Sequence, residues 1–234
     1  MAARVSRFGP PFPPTDVIPE ALAAVVVREP HWFVIGGHAV RCFCPYRPSR
    51  DVDFGVRTEK NLAQLLATLR KKGKVQIIEK SSDTVHLQWN GIDVSVFALP
   101  KVSAHVENHR LTVTGILATK LHAILDRGTR RDFFDLYVTL QTQKLGIFEC
   151  LRSLRVVYQT EVDEGLLLRA LTYFDDAEVE AALPNEGPSD WASVKDFFTR
   201  RVGALLIPPE RALAIQARVV DVRRAKRPRS RSKG

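Results

Sequence analysis

An α+β fold is predicted from three observations. About the first 105 residues alternate strand-like and helix-like runs, residues 75–99 carry a period-two pattern around an Asn-Gly dipeptide, and the chain from about Leu111 onward repeats at helical spacing. The expected architecture is a mixed sheet with its helices in the first half and a helical C-terminal domain in the second. At 234 residues and 45% apolar content the chain can bury a sizeable core.

Thr15-Asp16, after a Pro-rich leader, offers an N-cap for a helix through about Val27, closed by Glu29-Pro30. A strand is expected over 32–35, a tight turn at Gly36-Gly37, a short helix over 39–43, and an extended loop enforced by Pro45 and Pro48. A second strand reads over 51–56. Thr58 then caps an amphipathic helix whose Leu62, Leu65, Leu66 and Leu69 share one face, with Gly73 marking its end. VQIIE, TVHLQW and IDVSVFAL are strand-like, and Asn90-Gly91 joins the last two as a hairpin. Helical runs follow at 114–127, 130–143, 146–159, 164–174, 191–206 and 209–220. The chain divides into a leader and N-terminal helix (1–30), an α/β core (31–106), a helical domain (107–220) and a basic tail (221–234) expected to be disordered.

The net charge of +9 is concentrated at that end. The last seventeen residues, RVVDVRRAKRPRSRSKG, carry eight Lys/Arg and one Asp, which leaves only +2 for the rest. Such a tail attracts phosphate backbones or simply keeps the protein in solution. No apolar run is long enough to span a bilayer, and the N-terminus has no apolar stretch before a small-residue cleavage site, so a cytoplasmic protein without membrane partners is expected. Cys42, Cys44 and Cys150 are odd in number and lack metal or redox spacing, which points to reduced, buried thiols.

The chemistry centres on Asp51 and Asp53. Side chains two apart on a strand point the same way, so these carboxylates project together while Val52 and Phe54 face the core. Adjacent carboxylates raise each other's pKa unless a cation lies between them. Asp93, flanked by Ile92 and Val94, could face the same way from a neighbouring strand. Three such acids would suit Mg²⁺, which binds a few carboxylates together with substrate phosphates. Solvated acids at a strand edge are the other reading. Gly36-Gly37 can turn backbone N–H groups toward a phosphate, and Arg41, Arg47 and Arg50 could clamp one or stand as scattered surface charges.

Residues 33–54 resemble the opening motif of the polymerase-β-like nucleotidyltransferases. In detail they are similar to the AbiEii/AbiGii-type nucleotidyltransferase toxin family, in which a GG-x-A turn precedes R-x-T-x-D-hydrophobic-D-F. Here these stand as Gly36-Gly37-His38-Ala39 and Arg47-Pro48-Ser49-Arg50-Asp51-Val52-Asp53-Phe54. Asp93 matches the family's third carboxylate. KLHAILDRGTRRDFFDLYVTL resembles its second mark, matched by Lys120, Arg127, Arg131, Asp132, Asp135 and Tyr137. Two positions depart from the pattern: many related enzymes have Gly-Ser where this chain has Gly37-His38, and Ser49 replaces the family Thr.

The resemblance implies a polymerase-β-like core with a helical domain behind it. It implies that Asp51 and Asp53 hold metal, two Mg²⁺ ions being usual, that Asp93 completes the site as base, and that Lys120 binds nucleotide phosphates. Arg131, Asp132 and Asp135 would shape the nucleotide pocket, with Gly36, Gly37, Arg47 and Ser49 also contacting nucleotide. An NTP would be the substrate, an RNA such as tRNA the first choice of acceptor, and an antitoxin a partner. Each later residue also has a plainer reading, as solvated lysine or helix ion pair. Transfer to protein or to a small molecule, a catalytically silent binding protein, and a nucleic-acid-binding protein acting through its tail are the alternatives.

Overall fold

The protein was analysed as a computed structural model that describes residues 11–49 and 51–206. The basic tail, the helix expected over 209–220, the start of the leader and Arg50 lie outside the described residues.

The N-terminal helix is broken in two, α1 (Pro14–Val17) and α2 (Glu20–Val26). Pro19 is the cause: the residue before a proline is driven out of the helical region, and Ile18 is extended at φ −99°, ψ 164°. β1 (Phe33–Val34) follows, then α3 (Gly36–Arg41), so the two glycines form the first turn of the short helix instead of preceding it. β2 (Val52–Val56) leads into α4 (Glu59–Lys72), where the Thr58 hydroxyl accepts from the Asn61 N–H as its sequence position predicts. β3 (Val75–Lys80), β4 (Thr84–Trp89) and β5 (Ile92–Ala98) form the meander, with Asn90 (φ 49°) and Gly91 (φ 83°) making its last turn.

After a 3₁₀ turn at Val102–His105 come two strands not anticipated from the sequence, β6 (Val106–Glu107) and β7 (Arg110–Leu111). Each has two residues, too few to show a period. The seven strands form one mixed sheet in the order β3-β4-β5-β2-β1-β7-β6, with β2–β5 and β1–β7 parallel and the other pairs antiparallel. The sheet therefore continues to Leu111.

The helical half comprises α5 (Val113–Asp126), α6 (Arg130–Gln143), α7 (Ile147–Tyr158), α8 (Glu164–Ala170), a short α9 (Asp175–Glu178) and α10 (Asp190–Leu206). α8 ends sooner than its apolar run, and none of the described helices is long and apolar enough to cross a membrane. Two apolar cores result. One joins the sheet to α2, α4 and part of α5 through residues such as Phe54, Leu66 and Ile116. The other packs α6, α7 and α10 around Phe133, Leu136 and Phe198, with Leu117 and Leu121 of α5. α5 is thus a wall shared by both cores, and its Lys120 lies between them. All three cysteines are buried free thiols, with Cys42 pushed up to about 12 by burial.

Candidate active site

The strand register assembles the acids. Val52 lies opposite Val94 and Asp53 opposite Ser95 in the parallel β2–β5 pair, so Asp93 is level with Asp51 on the next strand. Val52, Phe54, Val94 and Val96 bury their side chains in the core, leaving Asp51, Asp53, Asp93, Ser95 and Phe97 on the opposite face. Over that face opens a cleft of about 340 Å³. It is lined by Gly36, Gly37, Arg47, Ser49, the three acids and, from the helical half, Lys120, Arg127, Arg131 and Asp132.

The glycines allow close approach. A Cβ on Gly36, which has φ 59°, would stand 2.5 Å from Asp53 Oδ2. A Cβ on Gly37 would stand 3.0 Å from Ser49 Oγ and 3.1 Å from Arg47 Nη2. The chain from β1 to α3 lies against Asp53 because Gly36 lacks a side chain, and against the Ser49–Arg47 loop because Gly37 does.

Burial raises the Asp53 pKa; Lys120 opposes the shift and the neighbouring Asp51 adds to it. Asp51 is half exposed and reaches Arg131 Nη1 at 4.0 Å. Asp93 is exposed and its Oδ1 accepts from Gln88 Nε2 at 2.9 Å. Among the described residues no three acid, His or Cys side chains come close enough to share one ion, so Asp93 lines the cleft without completing a three-acid cluster. The all-oxygen pair Asp51–Asp53, beside open space for phosphate oxygens, fits Mg²⁺, which needs only one or two protein carboxylates when a nucleotide supplies the rest.

Beneath the cleft lies a buried ion cluster. Arg47 donates from Nη2 to both oxygens of Asp135 at 3.0 and 2.9 Å, and Lys120 Nζ reaches Asp135 Oδ2 at 2.6 Å and Asp132 Oδ1 at 3.2 Å. Tyr46 donates its hydroxyl to Asp135 at 2.5 Å, and Arg127 and Thr129 donate to Asp132. Burial opposes ionisation of Asp135, but Lys120 and Arg47 hold its carboxyl below the usual range; Lys120 and Arg127 do the same for Asp132. Burial likewise opposes the charge of Lys120, yet the two aspartates raise its pKa. Asp135 does not line the cleft. Lys120 and Arg47 reach it with much of their charge already compensated; Arg127 and Arg131 have the more exposed side chains, 57% and 52%, Arg127 being bonded to Asp132 through Nε and Nη2 and Arg131 standing 4.0 Å from Asp51.

His38 is buried, with burial and then Arg41 and Arg47 lowering its pKa to about 4. Arg41 is committed to the Arg47 carbonyl at 2.7 Å. Sequence reasoning missed Tyr46, Ser95, Phe97, His86 and Ile78. The alternation through Asp93, Ser95 and Phe97 carried the signal for two of them.

Residues 106–213 match the family model described as nucleotidyl transferase AbiEii toxin, type IV toxin-antitoxin system. The match takes in Lys120, Arg131, Asp132 and Asp135, while the three acids of the sheet lie outside it. An uncharacterized protein of Aquifex aeolicus (strain VF5) is 27% identical over 180 residues, covering 73% of this chain and 86% of that one. A crystal structure described as a nucleotidyltransferase candidate from H. pylori matches with TM-score 0.50 and 17% identity over 80% of this chain and 93% of that one. The solution structure of antibiotic-resistance factor ANT(2'')-Ia matches 60% of this chain and 88% of its own at 12% identity and a TM-score of 0.43.

Proposed function

We propose that this enzyme, whose residues 106–213 are of the AbiEii nucleotidyltransferase type, moves an NMP from an NTP to a hydroxyl of an RNA acceptor, tRNA being the first choice, in a Mg²⁺-dependent reaction. The observation that carries the reading is the juxtaposition, in one cleft, of Asp51 and Asp53 with Gly36-Gly37 on one side and Lys120, Arg127 and Arg131 on the other. Paired acids, a backbone that admits close approach and a cationic wall are what attack of an acceptor hydroxyl at a triphosphate's α-phosphorus requires.

Asp51 and Asp53 are the residues to hold the metal, with Asp93 beside them. Bound there, Mg²⁺ would lower the pKa of the attacking hydroxyl and offset charge on the transferring phosphoryl group. We assign Arg127 and Arg131, the more exposed cations of the cleft, to the departing pyrophosphate. Asp93, exposed on β5, is assigned to the acceptor hydroxyl as the group to take its proton. Asp132 and Asp135 shape the pocket indirectly, by fixing Lys120 and Arg47; Ser49 and Gly37 border the phosphate space. We assign residues 31–111 to the catalytic core and the helices from Val113 onward to the helical domain, because β6 and β7 carry the sheet past the boundary expected at 106. The family's description supports a role as the toxin of a two-component system with a partner antitoxin; the cytoplasm is the compartment we assign to that role.

The test is incubation with each α-labelled NTP, Mg²⁺ and total tRNA, alongside Asp51→Asn and Asp53→Asn. Label is expected on RNA with the native protein and lost by about a thousandfold or more in either variant. Label on protein or a small molecule would replace the acceptor. No transfer and no metal-dependent NTP binding would overturn the reading.

A further inference from the structure

The cleft has two chemically unlike sides. Among the described residues its Lys and Arg groups come from the Arg47 loop and the helical half, and none comes from β3, β4 or β5. Those strands instead contribute Ser95, Phe97 and His86, and a bulge adds Ile78. Ile77 pairs with Leu87 and Glu79 with His86, so Ile78 is the extra residue, 63% exposed and turned into the cleft. Bulges beside active sites serve to re-aim a side chain in this way. The His86 ring meets Phe97 edge-on, centroids 5.6 Å apart at 78°, and its Nδ1 lies 2.8 Å from Ser95 Oγ. The aromatic pair is therefore held in place before any ligand arrives.

We propose that Phe97, His86 and Ile78 form a stacking platform for the terminal nucleobase of the RNA acceptor. This rests on the transfer reading given above. In-line displacement forms a bond from the acceptor oxygen to the α-phosphorus as the bond to pyrophosphate breaks, and the attacking and leaving oxygens lie on opposite sides. Pyrophosphate leaves toward Arg127 and Arg131, so the acceptor enters from β4 and β5, its hydroxyl proton passing to Asp93. A side without cations but with an aromatic face suits a base and not a phosphate. Stacking tolerates any base, so the platform fixes the position of the strand end and not its sequence.

The probe is a single-stranded oligoribonucleotide ending in 2-aminopurine, whose fluorescence falls on stacking whether or not transfer occurs. The full-length native protein is expected to quench it. Phe97→Ala should bind it about tenfold more weakly, the loss of one base–aromatic stack, and Ile78→Asn should weaken it in the same direction. Phe97→Leu, which keeps the apolar volume without the aromatic face, guards against a folding defect and should also lose quenching. Labelled NTP binding should hold in all three. An unquenched probe with the native protein, equal quenching by the variants, or loss of NTP binding in place of probe binding would each overturn the platform. Quenching without label transfer to RNA would overturn the transfer reading and with it the acceptor role, leaving Phe97, His86 and Ile78 as a surface that stacks an RNA end.

Discussion

His38 follows Gly36-Gly37 in the first turn of α3, and it is a buried, neutral imidazole. Its pKa of about 4 lies below the unfolded value near 6.5, so the folded state binds the proton less readily than the unfolded one. Stability from this group is complete above about 6.5 and declines as pH falls toward 4. The expected outcome is a melting temperature that drops over that window in the native protein and a flatter profile in His38→Gln. Asp53 has the opposite sign. Its raised pKa means that the metal-free protein loses stability as pH rises through that value, because an unpaired charge is then forced on a buried carboxyl. Mg²⁺ should raise the native melting temperature by a few degrees at pH 7. Asp53→Asn should melt higher than the native protein without metal and respond less to Mg²⁺, as thermal scans with and without Mg²⁺ would record.

At the scale of elements, α3 and β2 are spaced by Gly36, and α5 and α6 are tied to the Arg47 loop by the ion cluster. Gly36→Ala must either push Asp53 aside or move α3, and it places a side chain at positive φ; a loss of about 1–2 kcal/mol is expected, together with loss of metal-dependent NTP binding. Asp135→Ala removes the carboxylate shared by Arg47 and Lys120 and leaves two buried cations short of a partner. Urea unfolding should show a loss of about 3–5 kcal/mol. Asp132 and Asp135 contribute stability above the unfolded carboxylate value, and it is lost as pH falls through their depressed ones. Much of this level could be read from the sequence where the cause was local: the Thr58 cap, the leucine face of α4 and the Asn-Gly turn each rest on residues within a few positions. The Arg47–Asp135 pair spans 88 residues, and no local pattern announces it. Equally, β6 and β7 are too short for a period, and Ser95 and Phe97 became site residues only once the register placed β5 beside β2.

For the whole molecule, the two apolar cores meet at α5, and the cleft lies along that seam with acids from the sheet and cations from the helices. The family resemblance spoke for both sets of residues, but the family model matches only the helical side, so their meeting is a property of the fold. The +6 of residues 221–234, seven Lys/Arg and one Asp, is expected to act on RNA and not on nucleotide. Removing residues 221–234 should leave Mg-NTP binding intact while weakening RNA affinity and flattening its salt dependence, by a log–log slope of about 0.7 for each phosphate the tail no longer neutralises. On the proposed function the α-phosphorus, and no other, is attacked in this cleft. Parallel reactions with α-labelled and γ-labelled NTP decide it: α-label is expected on the acceptor and γ-label in free pyrophosphate, whereas γ-label on the acceptor, or γ-label released as orthophosphate with no α-label transferred, would overturn it.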